Sequence, residues 1–254
     1  MRSEGLLYTV GALMVGFVLI GFAATYSLSL SREDDVQRMV EFSRASAKNT
    51  AGVRSVGEVF KKYSGMRVSV DGKKFMVAGA YNKTHKEYNQ RISLLKSVHE
   101  KMSSDTVIHA GELAVTGPNG INVSEREGKL YASLPDGIES LTFSAATEEN
   151  ITNCSTAEYA EGKTMIRIDL EGSYGSCLLN AAIDAGGDNV FLINGGENSV
   201  IVREKVFSAD LKDIQYLLEF RLNDTVYASA VKVAGYVTTS VGDSTVSSDV
   251  LISV

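Results

Sequence analysis

The sequence predicts an α+β protein: an N-terminal transmembrane helix that continues into an amphipathic helix, a β-hairpin, a second helix, and a mainly antiparallel β-sandwich-like domain. Three observations lead to this prediction. Residues 5–31 contain no charged side chain and are mostly apolar. Residues 33–64 and 84–103 repeat apolar side chains every three or four positions, which is the spacing of one helix face. From residue 106 onward apolar and polar residues alternate between turn residues, a pattern typical of short strands.

Composition limits the classes of function. The chain has 254 residues, 44% of them apolar and 22% charged, with a net charge of -6. This length gives room for one large domain or two small ones. We assign residues 1–31 to a membrane anchor, 32–104 to a helix-hairpin-helix segment and 105–254 to a β-rich domain. The negative charge argues against a nucleic-acid partner, which requires a basic surface.

The apolar run from Gly5 to Ser31 is long enough to cross a membrane, because about 20 apolar residues in a helix span the ~30 Å hydrocarbon core. We therefore expect membrane lipid to be a partner of residues 5–31. A cleaved signal peptide is the rival interpretation, with small residues at Ala23, Ala24 and Ser27 as the cleavage site, although its apolar region is usually shorter. A buried helix of a soluble protein is the third interpretation.

The flanking charges favour a short N-terminus in the cytoplasm and a large domain outside it. Arg2, the free amine and Glu4 lie before the apolar run, and Arg32, Glu33, Asp34 and Asp35 follow it. Positive charge is retained on the cytoplasmic side of a span. We therefore expect a single-pass protein of the cell membrane whose C-terminal domain lies outside the cytoplasm.

Two further features agree with an extracytoplasmic domain. N-glycosylation sequons are acceptors only in a secreted context, and five of the twelve asparagines lie in one: Asn82, Asn122, Asn150, Asn153 and Asn223. The two cysteines, Cys154 and Cys177, most often pair in such a compartment. A disulfide closing their loop of about 24 residues would contribute roughly 3 kcal/mol of stability.

Local signals define the elements beyond the membrane. Ser31 can cap the helix over residues 33–64, which ends at Gly65 after two lysines. No break separates this helix from the apolar run, so we expect one long helix. Asp71-Gly72 joins two strand candidates as a hairpin. The second helix covers residues 84–103.

The β-rich domain contains ten strand candidates separated by glycine-containing turns, which indicates a sandwich or barrel. The candidates are Val107–Val115, Leu130–Leu134, Ser140–Ala145, Thr164–Leu170, Cys177–Ile183, Val190–Ile193, Val200–Phe207, Ile214–Leu222, Val226–Val237 and Val250–Val254.

The chain carries no recognisable catalytic, cofactor or metal motif, so we expect a non-enzymatic protein without a cofactor. The histidines, His85, His99 and His109, are not at metal-ligand spacing. The glycine pairs at 186–187 and 195–196 do not open a helix after a strand and are assigned to hairpin turns. The acidic cluster Glu125-Arg126-Glu127 matches no calcium loop and is assigned to solvated surface. A carboxylate pair for glycoside hydrolysis is left open by the sequence.

A hydrophobic N-terminal helix that continues as an amphipathic helix into a β-rich head resembles the plan of archaeal type IV pilin-like proteins. The short charged tip Met1-Arg2-Ser3-Glu4-Gly5 before the apolar run adds to the resemblance over residues 1–64. The tip departs from the pilin signal, which has a basic residue followed by Gly and often Gln before the cleavage point. The resemblance implies a surface filament or adhesion role.

We therefore expect a membrane-anchored extracytoplasmic surface protein with a structural or binding role. A pilin-like filament or adhesion subunit and a cell-surface hydrolase are the alternatives. Other copies of the chain, or other surface proteins, are the expected protein partners.

Overall fold

The structure is a computed structural model of the whole chain. It describes the backbone of residues 3–81, 85–103, 105–110, 112–126, 128–148, 150–151, 159–160, 162–183, 189–194, 199–202, 205–208, 214–228 and 230–254. Within these ranges a long helix is followed by a hairpin, a second helix and two mainly antiparallel sheets. This confirms the α+β class and the order of its main elements.

Helix α1 runs without a break from Ser3 to Tyr63, a length of about 90 Å at 1.5 Å per residue. The apolar run and the amphipathic segment are therefore one helix, as the sequence predicts. The chain leaves the helix through Gly65, whose φ of 65° suits glycine at the end of a helix. A hairpin of two strands follows, and then helix α2 (His85–Met102).

The strands have the following bounds: β1 (Arg67–Asp71), β2 (Lys74–Ala80), β3 (Thr106–His109), β4 (Leu113–Thr116), β5 (Asn122–Arg126), β6 (Lys129–Ser133), β7 (Ile138–Ala146), β8 (Tyr159–Ala160), β9 (Thr164–Glu171), β10 (Ser176–Ile183), β11 (Asn189–Asn194), β12 (Ser199–Val202), β13 (Lys205–Ser208), β14 (Gln215–Leu222), β15 (Ala230–Val241) and β16 (Ser244–Ser253).

In the described residues these strands form two sheets. The first has the order β1-β2-β14-β7-β9-β10-β8, and the second has the order β13-β12-β11-β6-β5-β4-β15-β16, with β3 also paired to β15. Two pairs are parallel, β7 with β9 and β8 with β10. Because β2 pairs with β14, the hairpin of segment 32–104 shares a sheet with strands of segment 105–254. The division into domains stays a prediction.

The single strand predicted over Val107–Val115 is wrong, since the structure has β3 and β4 there. Both lie along the same strand, β15, which shifts register between Lys232 and Tyr236. Gly235 has a φ of 107°, and a Cβ there would lie 2.0 Å from the carbonyl oxygen of His109. A side chain at position 235 would therefore clash with the backbone of His109.

Strand β5 has no counterpart among the predicted strands. Three consecutive residues in it, Val123, Ser124 and Glu125, are buried, so its burial does not alternate. The region predicted as Val200–Phe207 contains two strands, β12 and β13, in place of one.

One hydrophobic core lies between the two sheets and the C-terminal part of α1. It includes Phe75, Phe143 and Phe220 from the first sheet, Leu113 and Leu130 from the second, and further buried residues of both sheets and both helices. Helix α1 packs against β15, β16, β3 and α2. This region, from about residue 41 of α1 to the C-terminus, is called the head below.

Candidate functional site

The side chains of α1 that precede the head are exposed wherever the structure describes them. Every residue from 32 to 40 is exposed, and so is every residue from 14 to 27 except Gly16, which is partly buried. Among the described residues, α1 is the one helix long and apolar enough to cross a membrane, and none of its most apolar 18-residue window is buried. A signal sequence near the N-terminus can pass the same test of length and composition.

One polar side chain inside this apolar segment, Thr25, is hydrogen-bonded within the helix. The hydroxyl of Thr25 donates a hydrogen bond to the carbonyl oxygen of Gly21 at 2.7 Å. Such a bond to the preceding turn is how a threonine satisfies its hydroxyl where water is absent. The segment therefore presents an apolar surface in which Thr25 needs no outside partner.

The head is attached to α1 through one face of the helix, formed by Ala45, Asn49, Gly52, Val56 and Phe60, all of which are buried. They are spaced by four, three, four and four residues, so they lie on one side of the helix. Two small residues, alanine and glycine, let the helix approach the sheet closely.

Asn49 binds the helix to the edge of the second sheet. Its side chain is 1% exposed, and its amide nitrogen donates to the carbonyl oxygens of Val237 in β15 at 2.7 Å and Val246 in β16 at 3.0 Å. A Cβ on Gly52 would lie 2.9 Å from a methyl carbon of Val237. The hydrogen bonds and this close contact set the position of the helix on the sheet.

Two outer contacts extend the joint. Lys48 forms an ion pair with Asp105, just before β3, at 2.6 Å. At the end of the joint nearest the apolar segment, the turn between β15 and β16 lies against Glu41. A Cβ on Gly242 would overlap the Glu41 carboxylate. Gly242 also has a φ of 57°, in the left-handed region that favours glycine.

A buried carboxyl group lies between the two sheets. Glu125 of β5 is 3% exposed and accepts a hydrogen bond from the hydroxyl of Tyr216 in β14 at 3.1 Å. Burial raises the pKa of Glu125 from 4.5 to about 7, and the hydrogen bond from Tyr216 lowers it in part. Burial, and then the charge of Glu125 and the bond to it, raise the pKa of Tyr216 well above its ordinary value.

The assignment of Glu125 to solvated surface is therefore wrong. Glu125 lies two residues after the buried Val123 and so faces the same side of β5. Its carboxyl is partly protonated at neutral pH. A raised pKa is a common property of catalytic acids, but this group is enclosed by the core and is not positioned to meet a substrate. Tyr81 supports the same region by donating from its hydroxyl to the carbonyl of Gly128.

The structure places three of the five sequon asparagines. Asn122 at the start of β5, Asn150 and Asn223 after β14 are all exposed. Asn82 and Asn153 lie outside the described residues. Exposure is a requirement for a glycan on the folded protein, and glycosylation itself stays a prediction.

The other candidate residues are distributed over the head. Cys177 is buried in β10, whereas Cys154 lies outside the described residues, so their pairing stays a prediction. The ring of His109 stacks on Tyr236 with centroids 4.3 Å apart. Among the described residues no group of three or more His, Cys, Asp or Glu side chains is placed to hold a metal ion.

The sequence analysis did not identify Asn49 as the residue that bonds α1 to the second sheet. It also did not identify Glu125 and Tyr216 as a buried hydrogen-bonded pair. For Asn49 a signal was present, since it lies at helical spacing within a stripe of apolar and small residues. The pairing of Glu125 with Tyr216 joins positions 91 residues apart and has no local signal.

Comparisons of the chain with protein-family models, with curated proteins and with solved structures each found no match.

Proposed function

We propose that the protein is a single-pass membrane protein of the cell surface, with residues 5–31 of α1 in the lipid and the head outside the cytoplasm. The head has a structural or binding role and not an enzymatic one. The observation that carries the proposal is the continuity of α1, because one helix contains both an exposed apolar half and the face that holds the head.

The energy of burial supports the location of the apolar half. Within Met14–Phe22 seven large apolar side chains are between 60% and 76% exposed. Transferring such side chains out of water gains about 1.5–3 kcal/mol each, so this stretch alone favours the lipid by on the order of 10 kcal/mol. No described part of the head covers it.

The orientation is supported by the residues on each side of the span. Arg2 and the free amine precede the apolar run, and positive charge stays on the cytoplasmic side of a span. The exposed sequon asparagines of the head require an extracytoplasmic location to be acceptors. The joint between α1 and the head adds a mechanical property, since Asn49 and Gly52 hold the head on the helix without a flexible linker.

Membrane association is tested by adding charge to the helix. The double substitution V18K/L19K should move the full-length protein from the carbonate-resistant membrane fraction to the soluble fraction, because a lysine at a span centre costs about 2.5–3.5 kcal/mol. The matched control M165K/L178K changes two exposed apolar residues of the head and should leave the protein in the membrane. Membrane association of V18K/L19K equal to that of the parent would refute the anchor.

Orientation is tested by protease treatment of intact cells, which should release the domain from residue 33 onward. A head that is cut only after cell lysis would show that it lies in the cytoplasm.

The second candidate function is a pilin-like filament or adhesion subunit. The feature that favours it is the single unbroken helix that runs from the N-terminus into a β-rich head, the plan shared with type IV pilin-like proteins. Intact-mass measurement of the native protein separates the two functions. Loss of the first few residues supports a processed filament subunit, and a chain that begins at Met1 supports a plain anchor.

A further inference from the structure

The face of α1 that points away from the head has an unusual composition. Helix residues are rotated by 100° from one another, so the side opposite the head-binding face contains Val36, Val40, Ser43, Ala47 and Thr50. All five are exposed, Val36 at 60% and Val40 at 44%. A solvent-facing strip on a helix normally carries charged residues, yet this one is uncharged over about 20 Å.

The spacing of these residues is that of a coiled-coil seam. They follow one another at intervals of four, three, four and three residues, which is the alternation of the a and d positions of a heptad. Valine occurs at the two positions nearest the membrane, and smaller residues occur at the three positions that follow along the helix. Small side chains allow two helices to approach each other closely.

The flanks of the seam favour a second copy of the same chain in parallel. In a parallel pair, each g position faces the e position of the other helix five residues later. This places Arg32 beside Gln37 and Met39 beside Arg44, so no like charges face each other across these g–e pairs. The same heptad places Glu33 and Arg54 at the a positions before and after the seam, so the uncharged seam is confined to residues 36–50. Arg32 of each copy also lies beside Glu33 of the other at the membrane end, and these two pairs of opposite charge offset the repulsion between the two Glu33 side chains that meet there.

Two geometric conditions are also met. The head lies on the opposite face of α1, so two heads would extend outward from the pair on either side. Copies anchored in one membrane have the same orientation and a raised effective concentration, so even a weak seam can associate. An antiparallel partner would require its anchor at the other end.

We propose that α1 pairs with α1 of a second copy as a parallel two-stranded stalk whose seam is formed by Val36, Val40, Ser43, Ala47 and Thr50. The inference rests on the proposed function, since the membrane provides the parallel orientation. It gives a partner to Val36 and Val40, two apolar residues that are exposed beyond the span.

The test uses single cysteine substitutions in the full-length protein in its membrane, followed by oxidation and a non-reducing gel. S43C and A47C should form a crosslinked species at twice the monomer mass of 27.3 kDa. R38C is the matched control, since Arg38 is exposed on the same stalk but points to the side of the head. The parent chain gives the background from its own cysteines.

We expect several-fold more dimer for S43C and A47C than for R38C and the parent. Adding A47E to S43C should abolish this dimer, because two like charges would meet in the seam, whereas adding R38E should not. Equal crosslinking at positions 38, 43 and 47, or background crosslinking at 43 and 47, would overturn the stalk. Carbonate extraction of the same samples separates this result from a failure of the anchor, which would remove the protein from the membrane fraction.

Discussion

The buried carboxyl of Glu125 predicts an unusual dependence of stability on pH. Burial raises its pKa in the folded head from 4.5 to about 7, so the folded state binds a proton more tightly than the unfolded state. The contribution of Glu125 to the free energy of unfolding is therefore fully present below about pH 4.5 and is lost as the pH rises to about 7. Above that pH this contribution no longer changes. The rise of the Glu125 pKa from 4.5 to about 7 corresponds to a loss of about 3 kcal/mol in the free energy of unfolding between these two pH values.

E125Q removes this titration and keeps an oxygen that accepts the hydrogen bond from Tyr216. At pH 7.5 we expect the variant to be more stable than the parent by up to about 3 kcal/mol, and at pH 4.5 we expect the two to be equal. The measurement is urea unfolding of the full-length protein in detergent micelles at a series of pH values. E112Q, at an exposed position, is the control and should follow the parent.

Tyr216 gives a second perturbation of the same group. Its hydroxyl donates to the Glu125 carboxylate and lowers the pKa of that carboxyl. Y216F should therefore raise the pKa of Glu125 further and extend the loss of stability to higher pH. Unfolding curves of the parent and E125Q that stay parallel from pH 4.5 to pH 8 would refute the reasoning.

Four further substitutions test the packing of the head by the same unfolding measurement. N49A should destabilise by about 1–3 kcal/mol, because two strand carbonyls lose a buried donor. G52A and G57A are a matched pair, since a Cβ at Gly52 lies 2.9 Å from Val237 and one at Gly57 only 3.8 Å from Val250. We expect G57A to stabilise by up to about 1 kcal/mol through helix propensity, and G52A to destabilise; equal effects would contradict the close contact. Y88F should be neutral or stabilising, because the Tyr88 hydroxyl is buried without a hydrogen-bond partner among the described residues; a loss above about 1 kcal/mol would contradict this.

Several elements were predictable because their signals are local. The apolar run, the helical periodicity up to Tyr63 and the Asp71-Gly72 turn each depend on neighbours within a few residues. The class of the fold and the order of its main elements follow from these signals. Strand ends were less predictable, and β5 was missed because buried Ser124 and Glu125 interrupt its alternation.

By itself, the sequence determined the apolar half of α1, its continuity with the amphipathic half and the β-rich character of the rest. Only the tertiary structure decided which face of α1 binds the head, how the hairpin of β1 and β2 joins the first sheet, and that Glu125 lies inside the core. The physical reason is that these features depend on contacts between distant residues, such as Asn49 with Val237 and Glu125 with Tyr216. The face of α1 that packs against the head also defines the opposite face of α1, which is uncharged over residues 36–50.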